Sequence, residues 1–286
     1  MEKRQLGKTK KKVSILTLGG FGVGYISKDE AAEAIEYALN HGINMIDVAP
    51  TYGKAEQNLH KTIQEKRNKL FIAEKTQKRT KKEAWEELLE SLERLGTDYF
   101  DLYQFHAVDT IKELDIIMGP DGALEAFLEA KDQGLIKNIG LTGHSDVQVH
   151  LEALKRFDFD TLLLPITIGA ILHPHPVNDF RPVLKEAKRK NVGIIAIKVV
   201  AKGRWEGKKK YNTWYEPLVE QEAINDAIRF ALSQEGVTTY SMAGDTVLWK
   251  KIIHAAENFE KISEAEKEAI LKKAKQSDLQ PLFPEK

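Results

Sequence analysis

Eight apolar runs, each the length of a β-strand, recur along the chain. They are SILTL from Ser14, INMI from Ile43, LFIA from Leu70, DLYQF from Asp101, IKNIGLT from Ile136, TLLLP from Thr161, VGIIAI from Val192 and VTTYS from Val237. Between them lie amphipathic stretches such as KDEAAEAIEYALNHG, KKEAWEELLESLERLG and HLEALKRF, with apolar residues at three- and four-residue intervals. Gly42, Gly96 and Gly134 stand where a glycine would stop a helix before the next strand. A strand buried on both faces needs helices to cover it. Eight strand-then-helix units therefore predict a closed α/β fold, the (β/α)8 TIM barrel, in preference to an open sheet.

The ends of the chain read differently. MEKRQLGKTKKK is too polar for a core strand and predicts a small hairpin closing the barrel's N-terminal end. An extra helix is expected over Ser263 to Lys275, opened by the capping-box pattern Ser263-Glu264-Ala265-Glu266. With no repeat, linker or low-complexity tract, the 286 residues read as a single barrel domain, 1–286.

Composition then narrows the function. Lysine plus arginine and aspartate plus glutamate both number 43, so bulk charge argues against nucleic acid or an anionic membrane as partner. The charged N-terminus lacks the apolar stretch of a signal peptide, and no window approaches a membrane span, so a cytoplasmic protein is expected. The absence of cysteine excludes disulfides, thiolate metal sites and a cysteine nucleophile. A charged fraction of 30% without cysteine leans towards a heat-adapted source. Nothing in the pattern specifies an oligomeric state.

Barrel active sites are built at the C-terminal ends of the strands. GGFGVG (Gly19 to Gly24) follows the first run, but Gly22 and Gly24 would need a third glycine at Ser27 to make a dinucleotide fingerprint. Read at the barrel face, the next three runs deliver Asp47 and Tyr52, then Lys75, then His106. A phenol titrates near 10. An adjacent ammonium would favour its ionised form, and Lys75 is placed to do so. A lysine in a pocket would itself lose its proton unless a carboxylate held it charged, and Asp47 fits that role. His106 can donate to an oxygen beside the phenol. Such a set protonates a developing alkoxide.

The segments INMIDVAPTYGKAEQNL, LFIAEKT and ESLERLGTDYFDLYQFH closely resemble motifs of the aldo-keto reductase superfamily. The LGG of the first run, GLIKNIGLTGHS and GVTTYSMAGD extend the resemblance over nearly the whole chain. It implies a catalytic tetrad of Asp47, Tyr52, Lys75 and His106. It also implies NADPH or NADH bound across the C-terminal face, with hydride transfer to a small-molecule carbonyl. Departures mark a divergent branch, some members of which carry a C-terminal iron–sulfur domain that is not expected here, since the sequence has no cysteine. Thr142-Gly143 replaces the Ser-Asn pair that holds the nicotinamide amide, Lys198 replaces an aromatic residue that stacks on the ring, and Pro165 replaces a glutamine.

The remaining expected cofactor contacts are Gly20 and Phe21 on the first loop, Val199 and Gly203 beside Lys198, and Ala243-Gly244 before Asp245-Thr246. That last turn could hold a phosphate on backbone amides, although Asp245 competes as an N-cap. Lys250 and Lys251 are the candidates for a 2′-phosphate, so NADP(H) is favoured, with NAD(H) as the alternative. GRWEGKKKYNTWYEP (Gly203 to Pro217) reads as a lid or a solvated loop. His173 and His175 have the spacing of a ligand pair, but no third ligand matches and no metal is expected. A nucleotide-binding sensor with little turnover is the rival reading, motivated by Gly143, Pro165 and Lys198. A lyase using Lys75 as a Schiff base leaves the spacing of Asp47 and Tyr52 unexplained.

Overall fold

The computed structural model describes residues 1–284. Strands β1 (Lys3–Gln5) and β2 (Lys12–Ser14) form an antiparallel hairpin. There follow β3 (Leu16–Gly19), β4 (Met45–Asp47), β5 (Phe71–Thr76), β6 (Leu102–Phe105), β7 (Ile139–Thr142), β8 (Thr161–Pro165) and β9 (Gly193–Ile197). A short ribbon, β10 (Ala201–Gly203) against β11 (Glu216–Pro217), precedes β12 (Val237–Ser241). The eight strands β3 to β9 and β12 are parallel and close on themselves, with β12 pairing both β9 and β3. Each of the eight apolar runs contributes one of them.

Alternation along these strands separates two environments, because successive side chains point to opposite faces. Met45, Phe71, Ala73, Leu102, Leu163 and Ile195 pack together with Leu6 and Val13 of the hairpin. They form the apolar floor inside the barrel, and the hairpin stoppers its N-terminal end as expected. The intervening residues Ile46, Ile72, Tyr103 and Phe105 belong to the larger cluster shared with the helices. Phe105, for example, stacks on Phe127 of helix Ala123–Asp132 with ring centroids 4.0 Å apart.

Continuing the inward series by two residues gives Asp47 after Met45, Lys75 after Ala73 and Gln104 after Leu102. One polar layer thus sits above the apolar floor at the strands' C-terminal ends. Helix Glu264–Gln276 is opened by the Ser263 capping box, and the chain then returns over the barrel mouth, where the Gln280 N–H donates to Lys202 O at 2.8 Å. Among the described residues no helix is long and apolar enough to cross a membrane.

Leu6 is fully buried in this floor. Leu6→Ala should lower the unfolding free energy by about 2–5 kcal/mol through lost burial and a residual void. Urea denaturation of the two proteins measures it.

Candidate active site

The inward layer gains a phenol through a turn. After Asp47 the chain runs Val48-Ala49-Pro50-Thr51 to Tyr52, and Gly53 turns it with φ of +58°, which L side chains rarely adopt. A Cβ at Gly24, on the loop after β3, would lie 1.9 Å from Tyr52 O. Only a glycine there lets the two loops touch, and the Lys54 N–H donates to Gly24 O at 2.9 Å. The Tyr52 ring is thereby turned inward. Lys75 Nζ donates to Tyr52 Oη at 3.2 Å, to Val48 O at 3.1 Å and to Asp47 Oδ1 at 2.8 Å. Tyr52 Oη and His106 Nε2 are 3.5 Å apart. The four predicted side chains therefore meet.

Supports surround them that the strand pattern did not single out. Asp47 also accepts from Gln104 Nε2 at 3.3 Å and from Ser241 Oγ at 3.2 Å. The loop carrying His106 is held by Arg79, whose guanidinium donates to His106 O and Ala107 O at 2.8 and 3.0 Å. Thr142 Oγ1 accepts from the Ala107 N–H at 2.8 Å. Ser241 ends the eighth run and Gln104 shares the inward phase of the fourth, so both had a positional signal. Arg79 had none.

Burial sets the charge states. It would strip Lys75 of its proton, but Asp47 and then Tyr52 outweigh it and hold the ammonium above the ordinary lysine range. For Tyr52 burial is again the largest influence and it raises the pKa; Lys75 opposes it, Asp47 adds to it, and the net direction is upward. The expectation that the adjacent cation makes the phenol acidic is therefore corrected. Removing the phenolate from water costs more than one ammonium, already paired with a carboxylate, returns. Burial, with Lys75, His144 and Arg79, pushes His106 well below its usual value, leaving a neutral imidazole.

Behind the layer, on the opposite face of β5, Glu74 is fully buried. One carboxyl oxygen accepts from the Lys75 N–H at 2.8 Å, while the other has no partner among the described residues. Burial first, and then the carboxylate of Glu56, raise its pKa well above the usual value.

The tetrad opens into a cavity of about 850 Å³, within the span of small-molecule and cofactor sites. Of the expected cofactor residues, Phe21, Thr142, Lys198, Ala243 and Gly244 line it. The others do not. Gly20 donates its N–H to Asp47 O at 2.8 Å, Gly143 donates to Leu163 O at 3.1 Å, Val199 is buried, and Gly203 lies in β10. Lys250 and Lys251 are also off the wall: Lys250 Nζ is 5.9 Å from the Tyr37 ring, and Lys251 Nζ donates to Val219 O at 2.6 Å. Trp249 takes the helix face towards the cavity loop, its Nε1 donating to Ala243 O at 2.8 Å. The next two residues, rotated by about 100° and 200°, face away.

The segment Gly203 to Pro217 covers the cavity. Trp205, Lys209, Trp214 and Tyr215 line it, and the rings of Trp214 and Phe21 are 3.9 Å apart. Asp245 caps the following turn, accepting from the Val247 N–H at 3.0 Å, and also accepts from the Asn212 N–H of the covering segment at 2.9 Å. Leu282 and Phe283 complete the wall from the far end of the chain, which no local pattern announced. His173 Nε2 lies 3.0 Å from Leu279 O, and His175 Nδ1 accepts from the Val177 N–H at 3.3 Å. The cavity fits an anionic nucleotide in charge. Asp47 is the one carboxylate among the described lining residues and is paired with Lys75, while Lys198, Arg204 and Lys209 add positive charge.

The chain belongs to the aldo/keto reductase family, whose model matches residues 15–274. It is 29% identical over 217 residues to the uncharacterized oxidoreductase YqkF of Bacillus subtilis, covering 71% of this chain and 66% of that protein. It is 34% identical over 162 residues to the methylglyoxal reductase DkgA of Escherichia coli, covering 54% of each. These matches thus span between about half and two thirds of the curated relatives' lengths. In structure it is similar to the aldo-keto reductase AKR11C1 from Bacillus halodurans, with a TM-score of 0.73 and 22% identity over 96% of both chains. At that identity the likeness speaks to fold.

Two measurements probe the charge pattern. Lys75→Met, which leaves Asp47 buried without its cation, should cost about 3–5 kcal/mol in urea unfolding, with partial recovery in Lys75→Met/Asp47→Asn. Glu74 has a folded-state pKa above its unfolded value of about 4.5, so the folded state binds the extra proton and stability falls as pH rises through that window. Glu74→Gln should unfold at higher urea than wild type at pH 7, with the gap narrowing towards about pH 4. A gap independent of pH would contradict the assignment.

Proposed function

We propose that this protein is an NAD(P)H-dependent oxidoreductase that reduces small aldehydes or ketones to alcohols, and runs in reverse as an alcohol dehydrogenase. The observation that carries the reading is the Tyr52 hydroxyl standing within hydrogen-bonding reach of both Lys75 and His106, with Lys75 on Asp47. Bound nicotinamide nucleotide supplies the hydride. A carbonyl oxygen placed between the phenol and the His106 ring is held by both groups.

Tyr52 donates its proton to that oxygen as negative charge develops on it. A phenol whose pKa lies above the ordinary value is fully protonated at neutral pH, so the acid is loaded. Lys75 then faces the phenolate left behind and stabilises it, and Asp47 keeps Lys75 charged through the exchange. Trp214, Trp205 and Phe283 give the cavity beside the tetrad an apolar, aromatic wall. The names of the relatives, among them methylglyoxal reductase and a yeast D-arabinose 1-dehydrogenase, support a small carbonyl substrate. With Lys250 and Lys251 engaged elsewhere, the preference for NADPH over NADH rests on the net positive wall, Lys209 included.

Wild-type protein should oxidise NADPH, and NADH more slowly, with an activated aldehyde. Tyr52→Phe should lose about 10²–10⁴-fold in turnover while titrating with nucleotide as wild type does. Equal rates in the two proteins reject the assignment. Tight nucleotide binding by a wild type without turnover would favour the sensor reading.

A further inference from the structure

The backbone of Lys75 leaves the sheet's hydrogen-bond pattern. In the parallel ladder between β4 and β5, Met45 pairs with Phe71, Ile46 with Ile72 and Asp47 with Ala73. The Phe71 N–H donates to Asn44 O, one residue before its partner, at 2.8 Å. The same alternation carried two residues at a time, through Ala73 to Lys75, would send the Lys75 N–H to Val48 O. It goes elsewhere. The Val48 N–H donates to Ala73 O at 2.9 Å as the last rung, and the Lys75 N–H turns to the side chain of its neighbour, Glu74 Oε1, at 2.8 Å. Val48 O is met instead by the ammonium of the same lysine, whose Nζ donates to it at 3.1 Å.

This exchange completes the ammonium, which has three donors and no acceptor. They meet Val48 O, Asp47 Oδ1 at 2.8 Å and Tyr52 Oη at 3.2 Å. It also ends the pairing of the two strands. A rung from the Lys75 N–H to Val48 O would set Ala49 opposite Lys75 and hold the chain beside β5 for one more pair. Ala49 is already in the turn, its O accepting from the Tyr52 N–H at 3.0 Å. Glu74 and Lys75 are both buried, so solvent does not take the carboxyl's place, and a buried N–H without an acceptor is costly.

We propose that Glu74 is a positioning residue for the reductase centre: by accepting the Lys75 N–H it stops the β4–β5 ladder and reserves Val48 O for the Lys75 ammonium. Glu74 stands on the outward face of β5 and acts only through where the ammonium sits against Tyr52. An acceptor oxygen is all that is asked of it, so a neutral amide serves as well. The kinetic consequence rests on the reductase reading; the placement of the ammonium does not.

The test compares Glu74→Gln, which keeps an acceptor oxygen, with Glu74→Leu and Glu74→Met, which remove it; urea unfolding establishes that each is folded. With NADPH and an activated aldehyde, the Leu and Met variants should lose about 10- to 100-fold in kcat, with KM and nucleotide affinity within about twofold, and Glu74→Gln should retain wild-type turnover. Nuclear magnetic resonance of protein labelled with ¹⁵N-lysine reads the ammonium without turnover, its signal assigned by absence from Lys75→Met or by its shift in Tyr52→Phe. That signal should hold its place in Glu74→Gln and move or broaden in the Leu and Met variants. This pattern supports the proposal even if no aldehyde is reduced, in which case only the reductase reading fails. An unmoved ammonium signal in folded Glu74→Leu or Glu74→Met, or equal losses in the Gln and Leu variants, would overturn it. A coupling across the hydrogen bond in wild type, from the Lys75 amide nitrogen to the carbon bearing its acceptor, decides the matter if neither apolar variant folds: the Glu74 carboxyl carbon supports the proposal and the Val48 carbonyl carbon overturns it.

Discussion

The ion pair between Lys75 and Asp47 organises the mouth of this barrel. Both groups are almost completely withdrawn from solvent, at 1% and 4% exposure. Neither charge would persist there alone, because desolvation works against each. Together they keep a permanent ammonium against the Tyr52 hydroxyl; Gln104 shares Oδ1 of Asp47 with Lys75, and Ser241 donates to the other oxygen. The rest of the layer follows. Strand β4 gives the acid, β5 the cation, β6 the imidazole, and β12 closes the ring by reaching Asp47 from the other side.

The period of two along β5 explains how such a layer coexists with a stable barrel. Phe71 and Ala73 build the dry floor and Lys75, one step further inward, carries charge, while Ile72 and Glu74 face the helices. A single strand therefore hosts an ammonium on one face and, on the other, a carboxyl whose pKa burial raises well above the usual value. The backbone N–H between them donates to Glu74, so the two environments share a peptide group. The cavity-side charge is balanced by Asp47, whereas burial and the carboxylate of Glu56 bias the outer carboxyl towards its neutral form.

Much of this was legible because it is local. Alternating apolar runs and helical spacing are properties of neighbouring residues, and they placed all eight barrel strands and the Ser263 cap. The ends of the second, third and fourth runs yielded Asp47, Tyr52, Lys75 and His106. Other features depend on what folds over what. The direction of Tyr52's pKa is decided by how completely loops exclude water from it, which no spacing expresses. Lys250 and Lys251 look available in the sequence, but Trp249 settles which side of that helix meets the cavity. Phe283 reaches Lys198 across 85 positions of chain, and Arg79 reaches the carbonyl of His106 from a different loop. Such pairings exist only once the barrel has closed.

The covering segment is fastened to the rim by the Asn212 amides on Asp245 and Gly244 and the Trp214 ring on Phe21, and to the far end of the chain by Arg204 on Leu282 O. A molecule long enough to stretch from the phenol to the turn after β12 must pass beneath the segment. Its residence time is then governed by how often these fastenings part, a property of the latch more than of the chamber it closes.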